Sequence, residues 1–389
     1  MIPYGKQHIT DDDIRAVTEA LQQDFLTQGP AIAAFETAFA TYTGAAFAVA
    51  VSNGTAALHL SCIALGVTEG SKVITTPITF AASANCVRYC GGEVVFADID
   101  PRTYLIDPAA VRKLLEAHPK GTFSGIIPVD FAGRPVNSKQ LRELADEFGL
   151  WILEDACHAP GAFFRENGRQ YVSGDGSCSE LTVFSFHPVK HIACGEGGMI
   201  TTNDEALYQQ LLTLRTHGIT RDHASFKNSV ALSGGMENYP GWYMEMQELG
   251  FNYRLTDIQA ALGNSQLKRA DEGLERRREL AAAYADFFSG KPYISGHSGA
   301  IEGHAYHLYV IETEQRLELY DFLRTKAIFC QVHYIPCHLM PYYRGLGWKP
   351  GDFPHAEQYY SRCLSIPMFP TLTDEEQQFV MDTIDSFFA

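Results

Sequence analysis

Three short stretches of this chain place reactive side chains just beyond apolar runs. In SFHPVKHIACGEGG, residues 185 to 198, a lone lysine follows an apolar run inside a loop stiffened by Pro188 and marked by glycines. A lysine held there, close to a low-dielectric site, can give up its proton and bond a carbonyl carbon as a Schiff base. That lysine is Lys190. In WILEDACHA, Asp155 ends another apolar run, and a buried carboxylate costs desolvation energy unless it meets a cation or a donor. In FAVAVSNGTAALHLSC an apolar run turns through Ser-Asn-Gly-Thr into a helical pattern. First-turn amides and the Thr55 hydroxyl there make a ready phosphate cradle.

Singly, each stretch has an ordinary reading. The first turn is also a plain capped strand-to-helix connection, and Asp155 also suits a helix cap or a structural ion pair. His187 and His191 are four apart, the spacing of metal ligands on a helix, but Pro188 opposes a helix there, so no metal site is expected. Taken in chain order, a phosphate cradle, a buried acid and a lysine meet the needs of pyridoxal 5'-phosphate. That cofactor requires a phosphate site, an acid on its ring nitrogen and a lysine for its aldehyde.

The elements that must carry these residues alternate. FAVAV, KVITT, EVVFAD, GIIPVD, LWILED, LTVFSF and GMITT read as seven strands, several apolar throughout, as strands covered on both faces are. Helical patterns such as TAALHLSCIAL and SKQLRELADEF lie between them. This predicts an α/β fold with a mostly parallel seven-stranded sheet, and ligands in such sheets bind beyond the carboxyl ends of the strands. Ahead of the sheet, Thr10 and Asp13 suggest a capped helix with Ile14, Val17 and Leu21 on one face. A second helix carries Phe35 and Phe39 and ends near Gly44. A single long helix is expected from LTDIQAALG to Gly290. Beyond a Gly- and Ser-rich boundary, short strands and a last helix capped by Thr373 and Glu376 predict a smaller C-terminal α+β domain. The division is placed at 1–255 for the large domain with its N-terminal helices, and 256–389 for the connecting helix and small domain.

Composition narrows the function. With 46% hydrophobic residues in 389, the chain can bury two cores. A formal net charge of −16 repels phosphate backbones, so no nucleic-acid partner is expected. No apolar run reaches membrane-spanning length, and the opening MIPYGKQHIT lacks a basic segment followed by an apolar one. The nine cysteines are scattered without a CxxC pair, which suits a reduced, cytoplasmic setting.

The stretches FLTQGP, SNGTAALHL, TTPITFAASAN, EDACHA, FSFHPVKHIACGEGGMITTND, GFNYRLTDIQAALG and QVHYIPCH, in that order, resemble the sugar aminotransferases of the DegT/DnrJ/EryC1/StrS family across nearly the whole chain. The resemblance implies the fold type I (aspartate aminotransferase-like) architecture of pyridoxal-phosphate-dependent transferases. It implies that Lys190 bonds the cofactor aldehyde, Asp155 pairs with the ring nitrogen, His158 lies by the phenolic oxygen and Phe80 stacks on the ring. Thr55, the Ala56 amide and Ser185 would hold the phosphate. Asn252 would reach the phosphate in the neighbouring subunit of a homodimer with shared sites. Tyr4, the turn Leu26, Thr27, Gln28 and Gly29, and the run Gln331, Val332, His333 and Tyr334 resemble sugar-nucleotide contacts.

IPYGKQHITDDDI, DFLTQGP and QVHY carry a narrower likeness, to members of pseudaminic acid biosynthesis. It implies UDP-linked 4-keto-6-deoxy-N-acetyl-β-L-altrosamine as acceptor, L-glutamate as amino donor, 2-oxoglutarate as its product and pyridoxamine 5'-phosphate between the half-reactions. Another nucleotide-linked keto-sugar, of the GDP-perosamine, UDP-Ara4N or dTDP-amino-sugar type, is the alternative. Members that deoxygenate sugars carry a histidine where this chain has Lys190. A cofactor-binding regulator without turnover would need an appended DNA-binding module or a basic patch. Where relatives often carry two threonines, this chain has Ala193-Cys194, which removes two hydroxyls beside the lysine loop.

Overall fold

A computed structural model describes all 389 residues. Its centre is a seven-stranded sheet. Across the sheet the strands run Phe47–Val51, Gly198–Thr202, Leu181–Ser185, Trp151–Asp155, Gly125–Ile127, Lys72–Thr75 and Glu93–Phe96. Only Gly198–Thr202 is antiparallel to its neighbours. The parallel strands therefore deliver Val51, Asp155 and Ser185 to one edge, within four adjacent strands. Gly198 starts its strand at that same edge, so the loop holding Lys190 runs across it.

The strands are apolar throughout because both faces are covered. Val49 and Val51 pack into the larger core with Leu58 and Leu60 of the helix Gly54–Ala64. Ala48 and Ala50 face the other way, into a core built on Phe35 and Phe39 of the helix Pro30–Thr43. Those two rings pack against Phe184 and Phe186, which flank Ser185 in sequence. The period-two alternation of the strands thus splits neighbouring residues between two cores.

A third core joins Leu280, Tyr284 and Phe288 to Tyr309, Ile311, Leu364, Ile366, Val380 and Ile384. It surrounds a three-stranded antiparallel sheet of Gly296–His297, Tyr309–Glu312 and Cys363–Ile366. Ile2 also packs into it, because Ile2–Pro3 pairs in parallel with Ile328–Phe329. Tyr4, next along the chain, is thereby set beside His333, with ring centroids 5.2 Å apart.

Two helical expectations need correction. The long helix is broken into Asp257–Leu267 and Ala270–Phe288. At the break Arg269 has left helical dihedrals, and its guanidinium is drawn onto the buried Asp13 carboxylate and the His8 carbonyl. In the first helix, Asp11–Leu21, it is Asp13 and Ala20 that are buried, while Ile14 and Leu21 stand 57% and 55% exposed. A single chain leaves that apolar stripe uncovered. No helix is long and apolar enough to cross a membrane.

Candidate active site

At the sheet edge lies a cavity of about 460 Å³. Its walls include Tyr4, Thr55, Phe80, Asp155, His158, Ser185, Lys190, His333 and Tyr334. Residues as far apart in sequence as Tyr4 and Tyr334 meet there because the sheet order and the Ile2–Ile328 pairing bring their strands together.

The turn after Phe47–Val51 forms one end. Asn53 caps the helix Gly54–Ala64, its Oδ1 accepting the Ala56 amide at 2.8 Å. Helix first-turn amides have no acceptor within the helix, and with Ala56 taken, Gly54 and Thr55 are the ones that border the cavity. A Cβ at Gly54 would come within 3.0 Å of the Ser185 Cβ and 3.3 Å of its Oγ. Glycine there lets the helix start and the Ser185 hydroxyl close on one small space, a cradle sized for an oxyanion.

Asp155 is 5% exposed. Its Oδ2 accepts the Ser83 hydroxyl at 2.6 Å, and Oδ1 accepts the Cys157 amide at 3.1 Å. Thr79 continues the chain, 2.7 Å from Ser83. A carboxylate offers about four lone-pair sites, so two remain for a cationic N–H. Phe80, 62% exposed, stands over the same cavity with its ring 6.2 Å from that of Tyr334.

Lys190 is half-buried, and burial brings its ammonium down to about 8, with Cys157 and Asp155 acting against that shift. His158 is buried; its Nδ1 accepts the Ala132 amide at 3.2 Å. Nε2 must then carry the hydrogen and donate it to the Tyr334 hydroxyl, 3.2 Å away. Desolvation, with Lys190 adding to it, holds His158 well below the usual imidazole range, so this ring is a neutral donor. Burial raises the Tyr334 phenol, which likewise stays protonated.

Several expected residues lie elsewhere in the single chain. Ala56 is buried behind the turn, and its amide is already used by Asn53. Leu26, Thr27, Gln28 and Gly29 form a turn pinned by Asp257, whose carboxylate accepts the amides of Gly29 and Ala31 at 2.7 and 3.0 Å. Neither this turn nor Gln331, Val332 or Asn252 borders the cavity. Gln331 is exposed and bridges Ser365, while Asn252 is exposed and bridges Thr216. Conversely Ser83, Cys157, Glu196 and His307 do border it. Ser83 and His307 sit inside ordinary apolar stretches, where spacing gives no signal.

The oxyanion cradle, the buried acid with free lone pairs and the lysine, grouped around one cavity, fit pyridoxal phosphate. The chain matches the DegT/DnrJ/EryC1/StrS aminotransferase family over residues 7–385. It is 36% identical to the spore coat polysaccharide biosynthesis protein SpsC of Bacillus subtilis, covering 98% of this chain and 96% of that one. It is 34% identical to the UDP-4-amino-4,6-dideoxy-N-acetyl-beta-L-altrosamine transaminase of Campylobacter jejuni, covering 99% and 97%. The structure superposes on Helicobacter pylori PseC, an aminotransferase involved in the biosynthesis of pseudoaminic acid, with a TM-score of 0.87 at 29% identity, over 100% of this chain and 99% of that one. With that cavity at its sheet edge, the chain belongs to the DegT/DnrJ/EryC1/StrS family and is a pyridoxal-phosphate-dependent sugar aminotransferase.

Proposed function

We propose that the protein moves the amino group of L-glutamate to the 4-keto carbon of UDP-linked 4-keto-6-deoxy-N-acetyl-β-L-altrosamine. The observation that carries the catalytic assignment is the placing of Lys190 in one cavity with Asp155, Ser185 and Thr55. The altrosamine transaminase relative and the PseC likeness support the sugar. The higher identity to SpsC favours, as a second reading, a different nucleotide-linked keto-sugar.

Bound in this site, pyridoxal phosphate supplies an aldehyde that captures amines and an electron sink for the charge left when a C–H bond breaks. The residues around it have separable tasks. Thr55, Ser185 and the first-turn amides would hold the phosphate. Asp155 would accept from the ring nitrogen and keep it charged, while Ser83 and the Cys157 amide fix the carboxylate. His158, whose Nε2–H already meets the Tyr334 hydroxyl, would lie by the phenolic oxygen, and Phe80 would cover a ring face. Lys190 Nζ would be the amine that holds the aldehyde of the bound cofactor. When free, the same amine would take the α-proton of glutamate and later deliver a proton to the sugar carbon. With its ammonium near 8, Lys190 holds and releases protons close to neutrality, where a general base works best.

Asn252 and the Leu26–Gly29 turn act across a homodimer in this reading. Its support is that both lie outside their own chain's cavity, while Ile14, Leu21, Phe25 and Leu26 leave an apolar surface exposed. The test is a panel of UDP-, GDP- and dTDP-linked keto-sugars with glutamate, products read by mass and NMR. A 4-amino product from the UDP-altrosamine ketone alone supports the specific substrate. Amination of a different keto-sugar replaces it. No amine from any keto-sugar, with Lys190 shown to hold the cofactor, removes the proposed reaction.

A further inference from the structure

His307 lies outside every motif that marked the site, and its ring has one polar partner. Nε2 is 3.4 Å from the Lys190 Nζ. Nδ1 is buried with no hydrogen-bond partner. The ring packs on His158 with centroids 4.3 Å apart, and the residue is 4% exposed. A histidine buried for packing alone usually satisfies both nitrogens, because an unpaired buried polar atom costs free energy. Here the ring is oriented toward Lys190 instead.

The backbone that carries this ring is clamped. The Ala305 amide donates to the Gly133 carbonyl at 2.8 Å, and Leu308 donates to Ala132 at 3.1 Å. The buried Arg277 donates to the carbonyls of Tyr306, His307 and Met368 at 3.0, 3.4 and 2.9 Å. Gly133, at φ +96°, is needed because a Cβ there would stand 2.9 Å from the His307 amide nitrogen. The same Ala132 donates its amide to His158. One turn therefore sets the rings of both His158 and His307 beside the lysine.

We propose that Nε2 of His307 accepts a hydrogen bond from the Lys190 amine whenever that amine is not bonded to the cofactor, keeping the base in place between the two half-reactions. The inference rests on Lys190 being the reacting lysine. An ammonium only donates, so Nε2 presents its lone pair and Nδ1 carries the hydrogen. The proton stays on Nζ. Burial, with Lys190, His158, His191 and Arg277 nearby, holds His307 well below the imidazole range. Asp155 and Cys157 also face Lys190 and favour its charged form. His307 is thus a positioning residue, acting through Lys190.

The experiment uses the full-length chain freed of cofactor. Reductive methylation is followed across pH, and the rate at the Lys190 peptide is read by mass spectrometry to give its titration midpoint. His307→Phe keeps a ring against His158 but removes the acceptor. Its Lys190 midpoint is expected to fall by about one pH unit, since a charged donor loses its partner. His307→Gln restores an acceptor and should recover most of the shift. In the loaded enzyme, His307→Phe should lower kcat about tenfold with the sugar KM unchanged. A Phe midpoint equal to wild type, or a Gln midpoint as low as that of Phe, overturns the proposal. If neither variant folds, the 15N ring signals of wild-type protein decide. An Nδ1–H tautomer at His307 below the Lys190 midpoint supports the proposal, and an Nε2–H tautomer overturns it. Borohydride trapping of the cofactor on another lysine would instead sink the functional reading beneath it.

Discussion

Ser83 donates its hydroxyl to Oδ2 of Asp155 across 2.6 Å, joining the helix Ala82–Tyr89 to the end of the strand Trp151–Asp155. A hydrogen bond to a charged acceptor is worth roughly 1.5–3 kcal/mol. It orients one carboxylate oxygen and leaves lone pairs for the cofactor ring. Ser83→Ala is therefore expected to fold normally and to lose about tenfold in kcat/KM. Steady-state kinetics beside a thermal melt check this, and a wild-type rate would make the contact incidental.

Asp155→Asn should retain the cofactor and lose activity by on the order of 10² or more, because a neutral amide cannot keep the ring nitrogen charged. Cofactor content is read by absorbance and turnover by amine release. Near wild-type turnover would leave Asp155 with a structural role only.

Lys190→Ala should abolish covalent capture of the cofactor while the fold survives. Borohydride reduction followed by peptide mapping reads this directly. In wild type the label is expected on Lys190; a label on any other lysine removes the assignment.

Behind the site, Asp130 is fully buried and accepts from the Val136 amide and the Ser173 hydroxyl. Burial pushes it up to about 7, from an ordinary 3.8. The buried Glu154 is pushed up as well, by burial and by Asp130. Between those two values the folded chain holds a proton that the unfolded chain has lost. Stability therefore falls as pH rises from about 4 to about 7, and the full cost is present above that. Asp130→Asn keeps an acceptor for Val136 and a group for Ser173. It should raise the urea midpoint at pH 8 and lose that advantage in acid. An equal gain at both pH values would place the effect elsewhere.

Asn252 is exposed and away from its own cavity. If it serves the partner's phosphate site, mixing Lys190→Ala with Asn252→Ala should restore part of the activity, since one hybrid site receives both intact residues. The Asn252→Ala variant must first be shown impaired. No complementation despite confirmed subunit exchange would return Asn252 to its own subunit.

Much was legible along the chain. All seven sheet strands sit where the apolar runs place them, because strands buried on both faces leave continuous apolar signatures. Gly44 ends its helix in the left-handed conformation, at φ 83°, and Thr373 with Glu376 caps the last helix. Those signals are local, written within a few residues. Lys190, Asp155 and Thr55 could be singled out for the same reason, each standing at the end of such a run. What depended on distant partners was not legible. The break at Arg269 exists because a carboxylate 256 residues away draws its guanidinium. Ser83 finds Asp155, and His307 meets Lys190, only after the sheet order and the clamp at Ala132 and Gly133 bring them together. Sequence by itself determined which side chains stand at strand ends, since period and turn chemistry are local properties. Only the tertiary structure decided which of them share a cavity, because distances of a few ångströms between remote residues are set by packing.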